Sequence, residues 1–327
     1  MSQPASLLNP ESPFILRLWA YLQQRFPPLG YGILIVSYYS CNQFLAKALT
    51  HPGQPMRYNL ASLMGAVTLL CIFFHLRVFD EQKDYEEDCR HYPDRILSRG
   101  LIRLQDLRVL GGIAIAAELS LAVLANPLSK PAALVSVLVA LGFSLLMLKE
   151  FFVPKLLRRH FLAYAVSHMM IMPLLAMVVY SFATGRYLWE APAWYWLYAF
   201  VGFFVTFNWE ISRKIRAPEE EREGVETYTK RFGTYGAAYA VLVVRLIDTA
   251  MVALVGWHLG ASPWFYVVLV LLYMLCMIGF LQFRFQTSPK TAHRMETYAG
   301  LYIIAFDLTM AVELGVRNGV EFSGGLW

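Results

Sequence analysis

Nine stretches of this chain are apolar for roughly 20 residues each, the length a bilayer core demands, and that repetition limits the fold more than any other feature. They run approximately over 30–49, 58–79, 107–125, 131–148, 161–184, 191–209, 235–257, 263–283 and 297–315. Inside hydrocarbon every backbone N–H and C=O must find its partner within the protein, so only helices or a closed barrel can span it. Long alternating strands are absent, which leaves helices. The expected fold is an all-α polytopic membrane protein, with nine transmembrane helices in one bundle. Residues 1–327 read as a single transmembrane domain, with 1–29 as a cytoplasmic N-terminal segment. Charged residues make up only 16% of the chain and hydrophobic ones 57%. Soluble domains carry about 25% charge, so an ordinary soluble enzyme, a disordered chain and a coiled coil are excluded.

Pro4, Pro10, Glu11 and Pro13 stand where a signal peptide needs a basic start and an apolar core, so the first apolar segment reads as an anchor. The four cysteines, Cys41, Cys71, Cys89 and Cys276, form no C-x-x-C pair, which argues against a structural zinc site or a disulfide framework. An odd number of spans puts the two ends on opposite sides. Of the 28 Lys and Arg residues, 22 fall on the N-terminal side and 4 on the other, with Lys47 and Arg245 inside spans. Positive charge collects on the cytoplasmic side, so that side carries the N-terminus. The same bias accounts for the net charge of +5 without a nucleic-acid partner. The expected location is an inner or plasma membrane.

The acids are concentrated further. Seven lie between Asp80 and Asp94 and six between Glu210 and Glu226, in two short loops on the cytoplasmic side. If the second span continues as a helix beyond the membrane, Asp80, Glu81, Asp84 and Asp88 fall on one helical face. Like charges at that spacing repel. A hard divalent cation reverses the sign, since Mg²⁺ takes oxygen ligands and commonly joins one or two carboxylates to a substrate phosphate. Arg90, Arg95 and Arg99 follow closely, as phosphate recognition requires.

Here the sequence resembles the UbiA superfamily of intramembrane prenyltransferases. That family has Asn-Asp-x-x-Asp-x-x-x-Asp at the cytoplasmic end of its second helix, followed by Arg-Pro-Leu-x-x-Gly. This chain has Asp80-Glu81-x-x-Asp84-x-x-x-Asp88, then Arg95-Ile96-Leu97-Ser98-Arg99-Gly100. Asp80 stands in place of Asn, Glu81 in place of Asp and Ile96 in place of Pro. The family's second motif follows its sixth helix and leads into Gly-Ile/Val-x-Thr/Ser, matched by Gly224-Val225-Glu226-Thr227 with Gly233 nearby. Glu220 stands where the family tends to have Asp, and its earlier acid falls at Asn208 or Glu210. Between them lies Ser212-Arg213-Lys214-Ile215-Arg216, basic where an acid is expected. Either fewer carboxylates hold the second metal, or Arg213 and Lys214 replace part of its charge on the diphosphate.

The resemblance implies a lipid-accessible cavity capped by the two acidic loops. It implies Mg²⁺ held by Glu81, Asp84, Asp88, Asn208, Glu210 and Glu220, with Asp80, Glu81, Asp84, Asp88 and Arg95 catalytic. Arg95, Lys155, Arg213 and Lys214 would contact the diphosphate of an isoprenyl donor, and membrane lipid would surround the protein. The acceptor would be aromatic or otherwise lipophilic, and no residue selects it. A terpene cyclase, in which the chain's own double bonds attack the cation, is the runner-up. A transporter or non-catalytic lipid-binding protein is a third reading; Glu118, Asp307 and Glu313 would then form an ion path. Against it, the acidic clusters sit at one surface rather than at mid-membrane.

Several polar residues stand at membrane depth, where such groups are expensive: Asn42, Glu118, His168, Arg245, Asp248, Asp307 and Glu313. Arg245 and Asp248, three apart, are expected to pair, and His168 to be a hydrogen-bonded core residue. The sixth span is dense in aromatics from Trp194 to Trp209, which suits core packing and equally a prenyl tunnel able to stabilise a cation.

Overall fold

A computed structural model describes residues 8–326 except Gly224, without the side chain of Arg158. Most of the described residues are helical. The helices are α1 (Phe14–Arg25), α2 (Pro28–Thr50), α3 (Leu60–Lys83), α4 (Tyr85–His91), α5 (Leu104–Ala125), α6 (Ala132–Leu148), α7 (Pro154–Arg159), α8 (Phe161–Met169), α9 (Ile171–Thr184), α10 (Ala193–Arg213), α11 (Tyr228–His258), α12 (Pro263–Phe285) and α13 (Pro289–Asn318). Two three-residue strands, β1 (Met56–Tyr58) and β2 (Val320–Phe322), pair in parallel and tie the turn after α2 to the chain end after α13.

By length and composition, six helical segments can cross a membrane: α3, α5, α8 with α9, α11, α12 and α13; α6 is apolar but shorter. The expected spans at 30–49 and 191–209 form α2 and α10, long enough but more polar. The segment expected as one helix over 161–184 is two, parted at Met170. Pro173 lies in the first turn of α9, where its missing N–H costs no bond within that helix. The helix expected at 297–315 starts earlier, at Pro289, with Ser288 capping the Thr291 N–H.

Inward faces carry small and aromatic residues and outward faces carry aliphatic ones. Ala122, Ala125, Ala133, Val137 and Ala140 are buried between α5 and α6, letting the backbones approach closely. Val109, Ile113, Val243, Val267, Val270 and Leu271 point outward and exposed, as lipid contact requires. A larger cluster joins α2, α9, α10, α11, α12 and α13 around Phe44, Tyr180, Tyr195, Phe265 and Tyr302. At Gly65 an added Cβ would come within 2.4 Å of the Tyr39 hydroxyl, so a larger residue would have to displace the buried Tyr39 ring where α2 meets α3.

The N-terminal segment forms a helix of its own. Tyr21 of α1 is fully buried against Val78, Ile96, Leu97, Leu101, Ile102 and Leu107. This packing fastens α1 under the first acidic loop. Glu150, Phe151 and Phe152 all have positive φ, a strained left-handed turn linking α6 to α7.

Candidate active site

Asp80 to Asp88 do not form the continuous helix expected from their spacing. The α3 helix ends at Lys83, Asp84 leaves helical geometry at φ −97° and ψ 5°, and α4 starts at Tyr85. The break has an electrostatic reason. Glu86, Glu87 and Asp88 occupy the first turn of α4, where the helix dipole favours negative charge, whereas in one continuous helix Asp88 would share a face with Asp80, Glu81 and Asp84 and add to the repulsion. Asp80 and Glu81 therefore belong to α3, Asp84 to the break and Asp88 to α4.

Four cations meet these acids. Glu81, only 2% exposed, accepts from Arg25 Nε at 2.5 Å. Arg25 Nη2 also lies 3.5 Å from Asp88 Oδ2, the oxygen that Arg95 pairs with directly. Arg95 stacks over Tyr92 at 3.7 Å. Asp80, about half exposed, has Lys83 Nζ at 3.7 Å and Arg77 Nη1 at 3.9 Å. Asp84 is less compensated. Burial pushes its carboxyl up to about 6, against the pull of Lys83, and the negative charges of Asp80, Asp88 and Glu87 add to the rise.

The stretch after Asp88 explains two positions of the first motif. Gly100 has φ +69°, a left-handed conformation that favours glycine. Ile96 stands where proline is the norm, and its N–H donates to Gln24 Oε1 at 2.9 Å. Proline has no N–H, so this departure supplies a bond that anchors α1.

In the second loop Glu210, Glu220 and Glu221 each have partners. Asn208 is buried in the interface between α10 and α11; its amide donates to Val241 O at 2.5 Å and accepts from Arg245 Nη2 at 2.8 Å. Arg245 also pairs with Asp248 at 2.8 Å, as their spacing predicts. Glu210 holds Arg213 Nε at 2.5 Å and Lys214 Nζ at 2.7 Å. Glu220 lies 3.3 Å from His293 Nε2 of α13. Glu221 accepts from the hydroxyls of Thr227 and Thr229 at 2.7 and 2.5 Å. Thr227 also caps α11 through the Lys230 N–H, and Gly233 bends that helix at φ +72°. Gly224 lies outside the described residues.

The fold brings the two loops to the same end of the bundle. Arg222 Nη1 donates to His91 O at 3.4 Å and its guanidinium lies 5.4 Å from the Tyr92 ring. Asp80 and Arg77 are within electrostatic range of Arg213, as Asp80, Lys83 and Glu210 are of His168. Lys83 Nζ donates to Tyr164 OH at 2.7 Å, and Tyr164 stacks on His168 at 4.1 Å. His168 bonds to Tyr164 O at 2.8 Å, a core partner as expected. Lys155 is exposed on α7 and joins no ion pair among the described residues.

Among the described residues no three His, Cys, Asp or Glu side chains converge on one point as a bound ion would need. The first loop's donors nonetheless suit a hard cation. They are all carboxylates, two are held by guanidiniums, and Asp84 is raised by burial and, beyond that, by like charges whose repulsion a divalent ion would relieve.

Beneath this charged end lies a cavity of about 430 Å³. Pro27, Gly30, Thr297 and Trp209 line it near the loops, and Asn42, Tyr198 and Asp307 line its far end. Between them the wall is apolar and aromatic, with Leu34, Phe73, Met172, Val205 and Ile304. Arg213 sits 5.3 Å from the Trp209 ring, at the rim between acids and cavity.

The UbiA prenyltransferase family model matches residues 43–302. The chain belongs to the UbiA prenyltransferase family. Two solved structures share its fold. One is of a digeranylgeranylglyceryl phosphate synthase, 16% identical, with TM-score 0.59 over 91% of this chain and 98% of that one. The other is the apo structure of a UbiA homolog from Aeropyrum pernix K1, 13% identical, with TM-score 0.64 over 88% of this chain and 97% of that one. No curated protein sequence matches the chain.

Within this UbiA chain, three site residues escaped the sequence reading. Arg25 precedes Phe26-Pro27-Pro28 and looks like an ordinary membrane-flanking cation. Tyr164 and His293 reach the acidic end only through the packing of α8 and α13. No signal in their own segments singles them out.

Proposed function

We propose that this chain is an intramembrane prenyltransferase that binds an isoprenyl diphosphate at the acidic end and transfers the prenyl group to a lipophilic acceptor. The observation that carries the reading is the joining of a cluster of acids and bases to a long apolar cavity. Diphosphates suit the first and isoprenoid chains the second, and family membership supports the combination.

Glu81, Asp84 and Asp88 from the first loop, with Glu210 and Glu220 from the second, would hold Mg²⁺; Asn208 would have to leave Arg245 to join them. When bound, Mg²⁺ supplies Lewis-acid stabilisation of the departing diphosphate. Asp80 sets the charge of this end beside Lys83 and Arg77. Arg95, Arg213 and Lys214 take up negative charge on the diphosphate oxygens as the C–O bond breaks, and Lys155 reaches the same end from α7. Arg213, over Trp209, is placed to hold the diphosphate at the cavity rim. The aromatic wall excludes water and stabilises the allylic cation until the acceptor's nucleophile captures it.

The whole chain acts as one transmembrane unit, with α2, α6 and α10 completing nine crossings. The charged end faces the cytoplasm, in keeping with the distribution of Lys and Arg. Membrane lipid gives both substrates direct access between helices. The test is pyrophosphate release by the purified protein with Mg²⁺ and a panel of allylic diphosphates, with and without a membrane-lipid extract. Release that depends on the extract, with a prenylated lipid formed, supports the transferase. Release without extract, giving a cyclic hydrocarbon or alcohol, would replace it with a terpene cyclase. No release in either arm would sink both.

A further inference from the structure

The cavity is apolar along its walls but not at its floor. It follows α2 from Gly30 to Asn42, α10 from Trp209 to Tyr198 and α13 from Thr297 to Asp307. At 1.5 Å per residue these three paths give a depth of about 15–18 Å. The floor is therefore remote from the diphosphate end, and none of the ionisation chemistry above uses it.

The polar groups of the floor are satisfied, with one exception. Tyr38 OH donates to Met172 O at 3.2 Å, and Asn42 donates to Tyr38 O at 3.0 Å. Tyr195 OH donates to Ala176 O at 2.8 Å and lies 3.4 Å from Asn42 Oδ1. Tyr198 OH sits 2.8 Å from Cys41 Sγ and 3.4 Å from Asp307 Oδ1. The Asp307 carboxyl is thus met by the Cys41 thiol and the Tyr198 hydroxyl, yet its Oδ2 has no hydrogen-bond partner among the described residues, although Asp307 is only 1% exposed and lines the cavity. Glu118 and Glu313 also keep an unpartnered buried oxygen, but neither lines this cavity.

A carboxyl at membrane depth is costly, and an unpaired oxygen adds to that cost. An apolar prenyl tail reaching the floor would leave Oδ2 unpaired. We propose that Asp307, oriented by Tyr198, forms a subsite for a hydroxyl group on the deepest part of a lipophilic substrate. An alcohol or phenol both donates and accepts, so it pairs with Oδ2 whether the acid is ionised or neutral. The molecule bound here is thus an amphiphile with a hydroxyl about 15–18 Å from whatever group lies at the charged rim. The inference extends the transferase reading by naming a feature of its lipophilic substrate. Its test needs neither Mg²⁺ nor diphosphate, so either idea can fail alone.

Two probes separate the possibilities: dodecanol with a terminal bromine at the end opposite its hydroxyl, and bromododecane. Both are close to the cavity in extended length, and bromine quenches tryptophan. With the hydroxyl at the floor, bromine lies near Trp209 at the rim. The Trp209-specific signal is obtained by subtracting the Trp209→Phe variant. In full-length protein in nanodiscs, the alcohol is expected to bind about tenfold or more tightly than the bromoalkane and to quench Trp209. Asp307→Leu is expected to bring the two affinities within about twofold. Asp307→Ala, which also removes both oxygens, is expected to do the same and guards against a leucine variant that fails to fold. Equal affinity of the two probes in the wild type, or an unchanged preference in a folded Asp307→Leu or Asp307→Ala variant, would overturn the subsite and leave Asp307 as a structural residue.

Discussion

The two acidic loops carry similar numbers of carboxylates at the same end of the bundle, yet they are settled differently. In the second, Glu210 is held by Arg213 and Lys214 at the end of its own helix, Glu220 by His293, and Glu221 by two threonine hydroxyls. In the first, Arg25 and Arg95 reach in from outside α3 and converge on Asp88, while Asp84 stays raised among like charges. The difference teaches that acid count does not define a cation site. A carboxylate already paired must release its partner before it takes a metal, whereas a carboxylate raised among like charges gains from one at once. The second loop also holds Arg213 and Lys214, so it can offer the diphosphate charge of its own.

The sharpest way to break this comparison is Asp84→Ala. Pyrophosphate release is expected to fall by two or more orders of magnitude, as it should when EDTA is added to the wild type. Metal-independent turnover would remove the first loop from the mechanism. Next in size is the double change Arg213→Ala with Lys214→Ala. We expect KM for the allylic diphosphate to rise about tenfold or more, the scale of charged hydrogen bonds lost. An unchanged KM would mean that these cations only neutralise Glu210.

A third test uses stability instead of rate. The Asp84 carboxyl is raised from its ordinary value near 3.9 to about 6. Its stabilising contribution is therefore complete below pH ~4 and lost as pH rises through 6. Asp84→Asn stays neutral throughout. It should melt later than the wild type at pH 7, by about 1 kcal/mol after allowing for solvent screening, and lose that advantage near pH 4. A variant less stable at pH 7 would show that the ionised Asp84 is not disfavoured by its burial and its like-charged neighbours. The smallest effect separates Glu220→Gln from Glu226→Gln. The first should lower activity several-fold and the second leave it near wild type. Equal tolerance would place the second motif elsewhere.

Much of this architecture was legible in the chain because lipid is an unforgiving solvent. Apolar runs of spanning length had to become helices, and the structure has helices at every one of the nine segments. The Arg245–Asp248 pair followed from spacing along one helix. The first motif was visible as residue types, and so was the basic insertion of the second.

What the sequence alone determined was therefore local: helix content, the two acidic loops, and the kind of chemistry their side chains can support. Contacts between distant segments were decided by tertiary structure. A helix-period argument placed Asp80, Glu81, Asp84 and Asp88 on one face, but the chain breaks at Asp84 because α4 gains by starting on acids. Gln24 meets Ile96, Arg25 meets Glu81, and His293 meets Glu220 across 56 to 73 residues of chain. The free oxygen of Asp307 becomes meaningful only once α2, α10 and α13 enclose a cavity around it. Periodicity records which way a side chain faces on its own helix. What stands opposite depends on packing among helices, where close fit and the cost of leaving polar groups unpaired make the choice.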